Sequence, residues 1–147
     1  LLLVSYVPLT FRCTLSAMTP EQIVLSLFTA VESGDLDAIG THFAENATYS
    51  NIPYEPAVGR NAIIEMFRPI VTRSERIEWQ IRTIATAEHR VHCERLDCFW
   101  IKGQKYAVPC HCVVEVDLVA QKITAFRDYV DIGKWRETLG NALTSDE

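Results

Sequence analysis

The chain has 147 residues, 48% of them hydrophobic and 22% charged, with a formal net charge of −5. That length suits one domain, able to bury roughly 68–70% of the surface of its unfolded chain. The acidic balance and the scatter of its 14 Lys and Arg weigh against a nucleic-acid-binding face, which needs clustered cations.

Residues 1–17 form an apolar extension ahead of a domain at 18–147. The extension is too short, and too interrupted by Pro8 and Arg12, to span a membrane. It also lacks the basic leader of a signal peptide. Three readings stay open for it: a strand added to a sheet, a contact with a partner, or translated sequence upstream of a start at Met18. Thr19-Pro20-Glu21-Gln22 is a capping box with proline at the first helical position, so a helix begins there. Ile23, Leu25, Leu27, Phe28 and Val31 supply its inner face, and Gly34 ends it. Asp35 caps a short second helix that runs to His42. A strand follows, with Ala47, Tyr49 and Asn51 on one side and Thr48 and Ser50 on the other. A loop is expected over 53–59, then a helix over 60–67 stopped near Pro69.

The remainder alternates with a period of two, the signature of strands. Ile77, Trp79 and Ile81 share one face. Val91, Cys93, Arg95, Asp97, Phe99 and Ile101 share another, before a turn at Lys102-Gly103-Gln104. Tyr106, Val108, Cys110, Cys112, Val114, Val116 and Leu118 line a long strand, and Phe126, Asp128, Val130 and Ile132 line the next. A last helix is expected over 131–139. Helices first and antiparallel strands after make an α+β layout, in which a curled sheet leaves a pocket between itself and the helices.

The five cysteines, Cys13, Cys93, Cys98, Cys110 and Cys112, are odd in number and lack a Cys-x-x-Cys spacing. Reduced thiols in a cytoplasmic protein are expected. His92, Cys93, Cys110, His111 and Cys112 lack the turn spacings of zinc ligands, so no metal is expected. Leu96 and Trp100 face away from the pocket side and are candidates for a dimer contact.

Arg95, Asp97 and Asp128 interrupt faces that are otherwise apolar. Positions two apart on one strand face lie about 6.5–7 Å from each other, so Arg95 can reach Asp97 and a carboxylate on a nearby strand. Buried charge is costly unless paired. An arginine holding two carboxylates in a dry site makes them unequal, one ionised and one protonated near neutral pH. Such a pair can take a proton from water and give one to a leaving oxygen together. Tyr49 and Asn51 are uncharged hydrogen-bonding groups suited to orienting that water. The walls read as apolar, with Phe99, Val108, Val114 and Val130 and with Trp79 and Trp135 nearby, which suits a small hydrophobic ligand. No phosphate-cradling glycine loop or Ser-His or Cys-His context is present. A strained, uncharged ring oxygen needs only protonation and attack by water, and an epoxide fits.

Tyr49-x-Asn51, Arg95-Leu96-Asp97 and Asp128 within FRDYVD, in that order and with those separations, resemble the active-site pattern of the limonene-1,2-epoxide hydrolase family. The resemblance runs from about Met18 to Leu143 and takes in the VGRNAI helix start and the DIGKW segment. It implies a cone-shaped α+β fold of the NTF2-like, SnoaL-like kind: a curved mixed sheet packed on three to four helices around a deep apolar pocket, commonly dimeric. It also implies one-step hydrolysis of an epoxide to a vicinal diol without a cofactor. On this chain Asp128 would activate water with help from Tyr49 and Asn51, Asp97 would protonate the epoxide oxygen, and Arg95 would bridge the two. Ile70, Trp79, Phe99, Cys110, Cys112, Val130, Trp135 and Leu143 would line the pocket. Trp79, Trp135 and the two cysteines depart from the aliphatic and phenylalanine lining typical of that family, so the resemblance leaves the substrate open. Two other readings use the same scaffold. A ketosteroid-isomerase-like or polyketide-cyclase-like enzyme would need one Asp as base but no arginine between two carboxylates, and a non-catalytic binding module would tolerate loss of either aspartate.

Overall fold

A computed structural model describes residues 16–144. The readings made for residues 1–15, Cys13 included, lie outside the described residues. Helix α1 (Pro20–Ser33) starts at the expected capping box: Thr19 Oγ1 accepts from Gln22 N at 3.2 Å, and Gln22 Oε1 accepts from Thr19 N at 2.9 Å. Gly34 ends it at a φ of 69°, a conformation that costs glycine little. Helix α2 (Leu36–His42) is capped by Asp35, which accepts from Ala38 N at 2.9 Å.

Strand β1 (Phe43–Ile52) leads through a two-residue β2 (Ala57–Val58), inside the segment expected to be loop, to α3 (Arg60–Arg73). Strands β3 (Arg76–Ala87), β4 (Arg90–Ile101), β5 (Gln104–Asp117) and β6 (Lys122–Val130) follow. The chain closes with α4 (Ile132–Trp135), a π-helical turn (Arg136–Gly140) and α5 (Asn141–Thr144).

One expectation is corrected. Helix α3 continues through Pro69 to Arg73, and helical bonding resumes beyond the proline, with Ser74 N donating to Ile70 O at 3.1 Å. Pro69, which borders the cavity, is itself exposed, and so is Glu65, whose carbonyl loses its helical partner to the missing N–H. On β3, Ile77, Trp79 and Ile81 share one face as expected, opposite Phe99, Asp97 and Arg95; Ile81 is 39% exposed, just before a register shift between Ile81 and Thr83.

The six strands form one curved, open sheet in the order β2-β1-β6-β5-β4-β3. Every pairing is antiparallel except β1 with β6, which is parallel. This single parallel pairing puts Asn51 beside Asp128 and Tyr49 beside Phe126. On the concave side, Val91, Cys93, Cys112, Val114 and Phe126 join Val24, Leu27 and Ile39 of the first two helices in the core. The Val, Leu, Ile and Phe side chains among them each contribute about 1.5–3 kcal/mol by leaving water. Arg95 heads the fully enclosed side chains by size. No helix among the described residues is long and apolar enough to cross a membrane.

Candidate active site

Strand alternation points Arg95 and Asp97 of β4 and Asp128 of β6 to the same concave face, with β5 between them. Arg95 reaches across. Its Nε donates to Asp97 Oδ1 at 2.7 Å and its Nη2 to Asp97 Oδ2 at 3.1 Å, while Nη2 also meets the Asp128 carboxylate at 2.9 Å. Arg95 is 0% exposed, Asp128 4% and Asp97 8%. The rings of Trp79, Phe28 and Phe126 stand 4.3, 5.4 and 5.7 Å from the guanidinium carbon. Its Nη1 has no hydrogen-bond partner among the described residues, so these ring faces supply part of the compensation that water would give.

The two carboxylates are not equivalent. Asp128 accepts from the Tyr49 hydroxyl and, at 3.2 Å, from the Cys110 thiol, as well as from Arg95. Three donors converge on it, which fits a carboxylate in its acceptor-only, ionised form. Asp97 is bonded by Arg95 and borders the cavity. Burial raises its pKa; Arg95 pulls it down and Asp128 pushes it up again, leaving it at about 6. The Tyr49 hydroxyl is held well above its ordinary range, first by burial and then by Asp128, so it remains a donor. Burial works against the Arg95 charge, but Asp128 and Asp97 outweigh it and hold the guanidinium cationic.

The cavity above this group has a volume of about 310 Å³, at the lower end of the roughly 300–1,000 Å³ of small-molecule sites. Tyr49, Asn51 and Asp128 from the β1–β6 pair border it, as do Asp97, Phe99, Val108, Cys110 and Val130 from the sheet. Trp79 closes the β3 side, and its backbone N–H is held by Glu32 Oε1 of α1 at 2.7 Å. Ile70, Trp135 and Leu143 cover it from α3 and the C-terminal helical segment.

Arg95 is the one catalytic candidate without a wall position: it lies beneath the cavity, behind its two partners. Cys112, expected in the lining, is absent from it, and so is Val114. Both are fully enclosed, where the concave face is packed against helices rather than open. Met66, Phe67 and Pro69 of α3 are lining residues that the sequence reading missed. The apolar spacing of Ile63, Phe67 and Ile70, which continues helically past Pro69, carried that signal. Among the described residues no group of three or more His, Cys, Asp or Glu is arranged to hold a metal ion.

The family model for the limonene-1,2-epoxide hydrolase catalytic domain matches residues 18–138. The chain belongs to that family. Solved structures with the same fold include an epoxide hydrolase of the limonene-1,2-epoxide hydrolase type from M. tuberculosis, 23% identical, covering 84% of this chain and 91% of its own at a TM-score of 0.71. A protein from Shewanella denitrificans, assigned to the SnoaL-like polyketide cyclases, is 14% identical, with 83% and 97% covered and a TM-score of 0.74. A hypothetical protein from Catenulispora acidiphila, with a ketosteroid isomerase-like fold and bound trimethylamine, is 25% identical, with 84% and 95% covered and a TM-score of 0.69. The limonene-1,2-epoxide hydrolase family is thus set here on an NTF2-like, SnoaL-like scaffold.

Proposed function

We propose that this protein hydrolyses a small apolar epoxide to a vicinal diol in one step, without a cofactor. The observation that carries this is the Arg95 bridge between two carboxylates of unlike surroundings. A water held by the Asn51 amide and Asp128 attacks a ring carbon while Asp128 takes its proton. Asp97, as the carboxylic acid, gives its proton to the epoxide oxygen as the C–O bond breaks. Asp128 ends protonated and Asp97 ionised, and exchange of one proton with solvent resets them. Arg95 stays cationic throughout and keeps both carboxylates in place. Ile70, Trp79, Phe99, Val130, Trp135 and Leu143 form the apolar wall against which the ring sits.

The test is incubation with cyclohexene oxide or a cyclic terpene epoxide in ¹⁸O water. One labelled oxygen is expected in the diol and none in the protein under single turnover. Asp97→Asn and Asp128→Asn each lower diol formation by about 10²–10⁴-fold while the fold persists. Label in either aspartate points to an ester intermediate instead. A wild type that leaves epoxides untouched but exchanges protons α to a ketone favours the isomerase-like or cyclase-like reading.

A further inference from the structure

Cys110 is in the cavity wall, at a position that a purely apolar residue could fill, yet its sulfur lies 3.2 Å from Asp128 Oδ1. An ionised carboxylate offers about four acceptor sites. Tyr49 takes one on Oδ2, the Cys110 S–H takes one on Oδ1, and Arg95 Nη2, 2.9 Å from both oxygens, takes a third between them. Counted by donors, that leaves one site for a water molecule. The Tyr49 ring is held by stacking on Phe126 at 4.5 Å, and Arg95 is fully enclosed, so both approach the carboxylate from fixed directions. The thiol adds a third fixed direction, from β5.

We propose that Cys110 is a positioning residue for the base: its S–H bond to Asp128 fixes the rotation of the carboxylate, leaves one acceptor site for the attacking water, and favours the ionised form. This rests on the epoxide-hydrolase reading above. It also accounts for a thiol beside a base in a site meant for an electrophile. Burial, then Asp128, raises the pKa of the thiol far above its ordinary range, so it keeps its proton. A thiol that keeps its proton donates to Asp128 and does not attack the ring.

The experiment measures the pH dependence of kcat/KM for epoxide hydrolysis in Cys110→Ala, Cys110→Val and Cys110→Ser. Ala and Val bracket the volume of the thiol and lack the donor; Ser keeps a donor. The acidic limb, which follows protonation of the base, is expected to move up by about half a pH unit to one unit in both Ala and Val. In Ser it returns to the wild-type position or below it. A packing role alone lowers thermal stability or kcat without moving that limb. Infrared spectra of the resting protein give a readout that needs no turnover. The S–H band lost in Cys110→Ala is expected below the frequency of a free thiol, and to rise in Asp128→Asn. Normal wild-type turnover with an unmoved acidic limb in Ala and Val, or an S–H band at the free-thiol frequency, overturns this proposal alone. A wild type inactive on every epoxide overturns the functional reading and this proposal with it.

Discussion

Asp97 and Asp128 lie on strands separated by β5 and share one nitrogen, Arg95 Nη2, which stands 3.1 Å from the first carboxylate and 2.9 Å from the second. Beyond that nitrogen their surroundings diverge. Among the described residues, Asp128 collects two more donors from Tyr49 and Cys110, whereas Asp97 gains only Nε of the same arginine. One cation therefore serves a proton acceptor and a proton donor at once. The donor count, more than burial, separates their roles, because both are almost fully enclosed.

Asp97 acts as an acid only while protonated, and its pKa is raised to about 6. The sign follows: kcat/KM falls as pH rises through about 6, and the fall disappears in Asp97→Asn along with most of the activity. Loss of a general acid lowers the rate by about 10²–10⁴-fold. Initial rates across that range check both statements. The limb belongs to the coupled pair, so it moves in Asp128→Asn as well. An alkaline limb at the same place in Asp128→Asn counts against the shared bridge.

The same shift bears on stability. Asp97 binds its proton more tightly in the folded chain than a free carboxyl does, since its pKa rises from 3.8 to about 6. Between those values the folded state holds more protons than the unfolded, so stability declines as pH rises and levels off above about 6. Asp97→Asn removes the ionisation that causes the decline. It is expected to melt higher than wild type above pH 6, by at most about 3 kcal/mol, with the gain vanishing near pH 4. Thermal melts at several pH values decide it. A constant difference at all pH values would mean that packing, not ionisation, separates the two proteins.

The charged trio was legible in the sequence because strands have a strict period of two. A charge at an apolar-face position has nowhere to go but inward, and Arg95, Asp97 and Asp128 each occupy one. Depth along the strand is a different matter. Alternation puts Cys112 on the same face as Cys110, but says nothing about where the cavity ends and packed core begins. Pro69 misled for a similar reason. Its local cost argues for a stop, while the apolar stripe through Phe67 and Ile70 packs on both sides of it, and packing outweighs propensity. The capping box and the Gly34 stop were readable because each is a complete local hydrogen-bond solution. The β3 bulge and the π-helical turn at Arg136–Gly140 have no local signature of that kind.

Arg95 should be costly to remove and partly rescuable. Arg95→Met fills much of the same volume but leaves two carboxylates buried without their cation, which destabilises by about 3–5 kcal/mol. Neutralising one carboxylate relieves part of that, so Arg95→Met/Asp97→Asn is expected to be more stable than Arg95→Met alone. Arg95→Lys keeps the charge but cannot make the paired Nε and Nη2 bonds to Asp97. It should fold better than Met and still lose most activity. Urea unfolding of the four proteins completes the cycle. Strict additivity of Arg95→Met and Asp97→Asn would show that the two side chains are not energetically joined.

Tyr49 offers the cleanest separation of fold from chemistry. Its ring stacks on Phe126 at 4.5 Å with a 7° interplanar angle and meets Phe67 edge-on at 5.2 Å. Tyr49→Phe keeps both contacts and removes only the donor to Asp128. Thermal stability at neutral pH is expected to change by about 1 kcal/mol or less, because the lost bond is offset by easier burial of the bare ring. The catalytic effect is larger. A donor to a charged group contributes about 1.5–3 kcal/mol, so kcat/KM should drop about 10- to 100-fold and its acidic limb should rise. Because the hydroxyl is held protonated well above its ordinary range, no alkaline limb near pH 10 belongs to it, and none should vanish in Tyr49→Phe. A variant with wild-type rates and an unmoved acidic limb would remove Tyr49 from the group that holds the base.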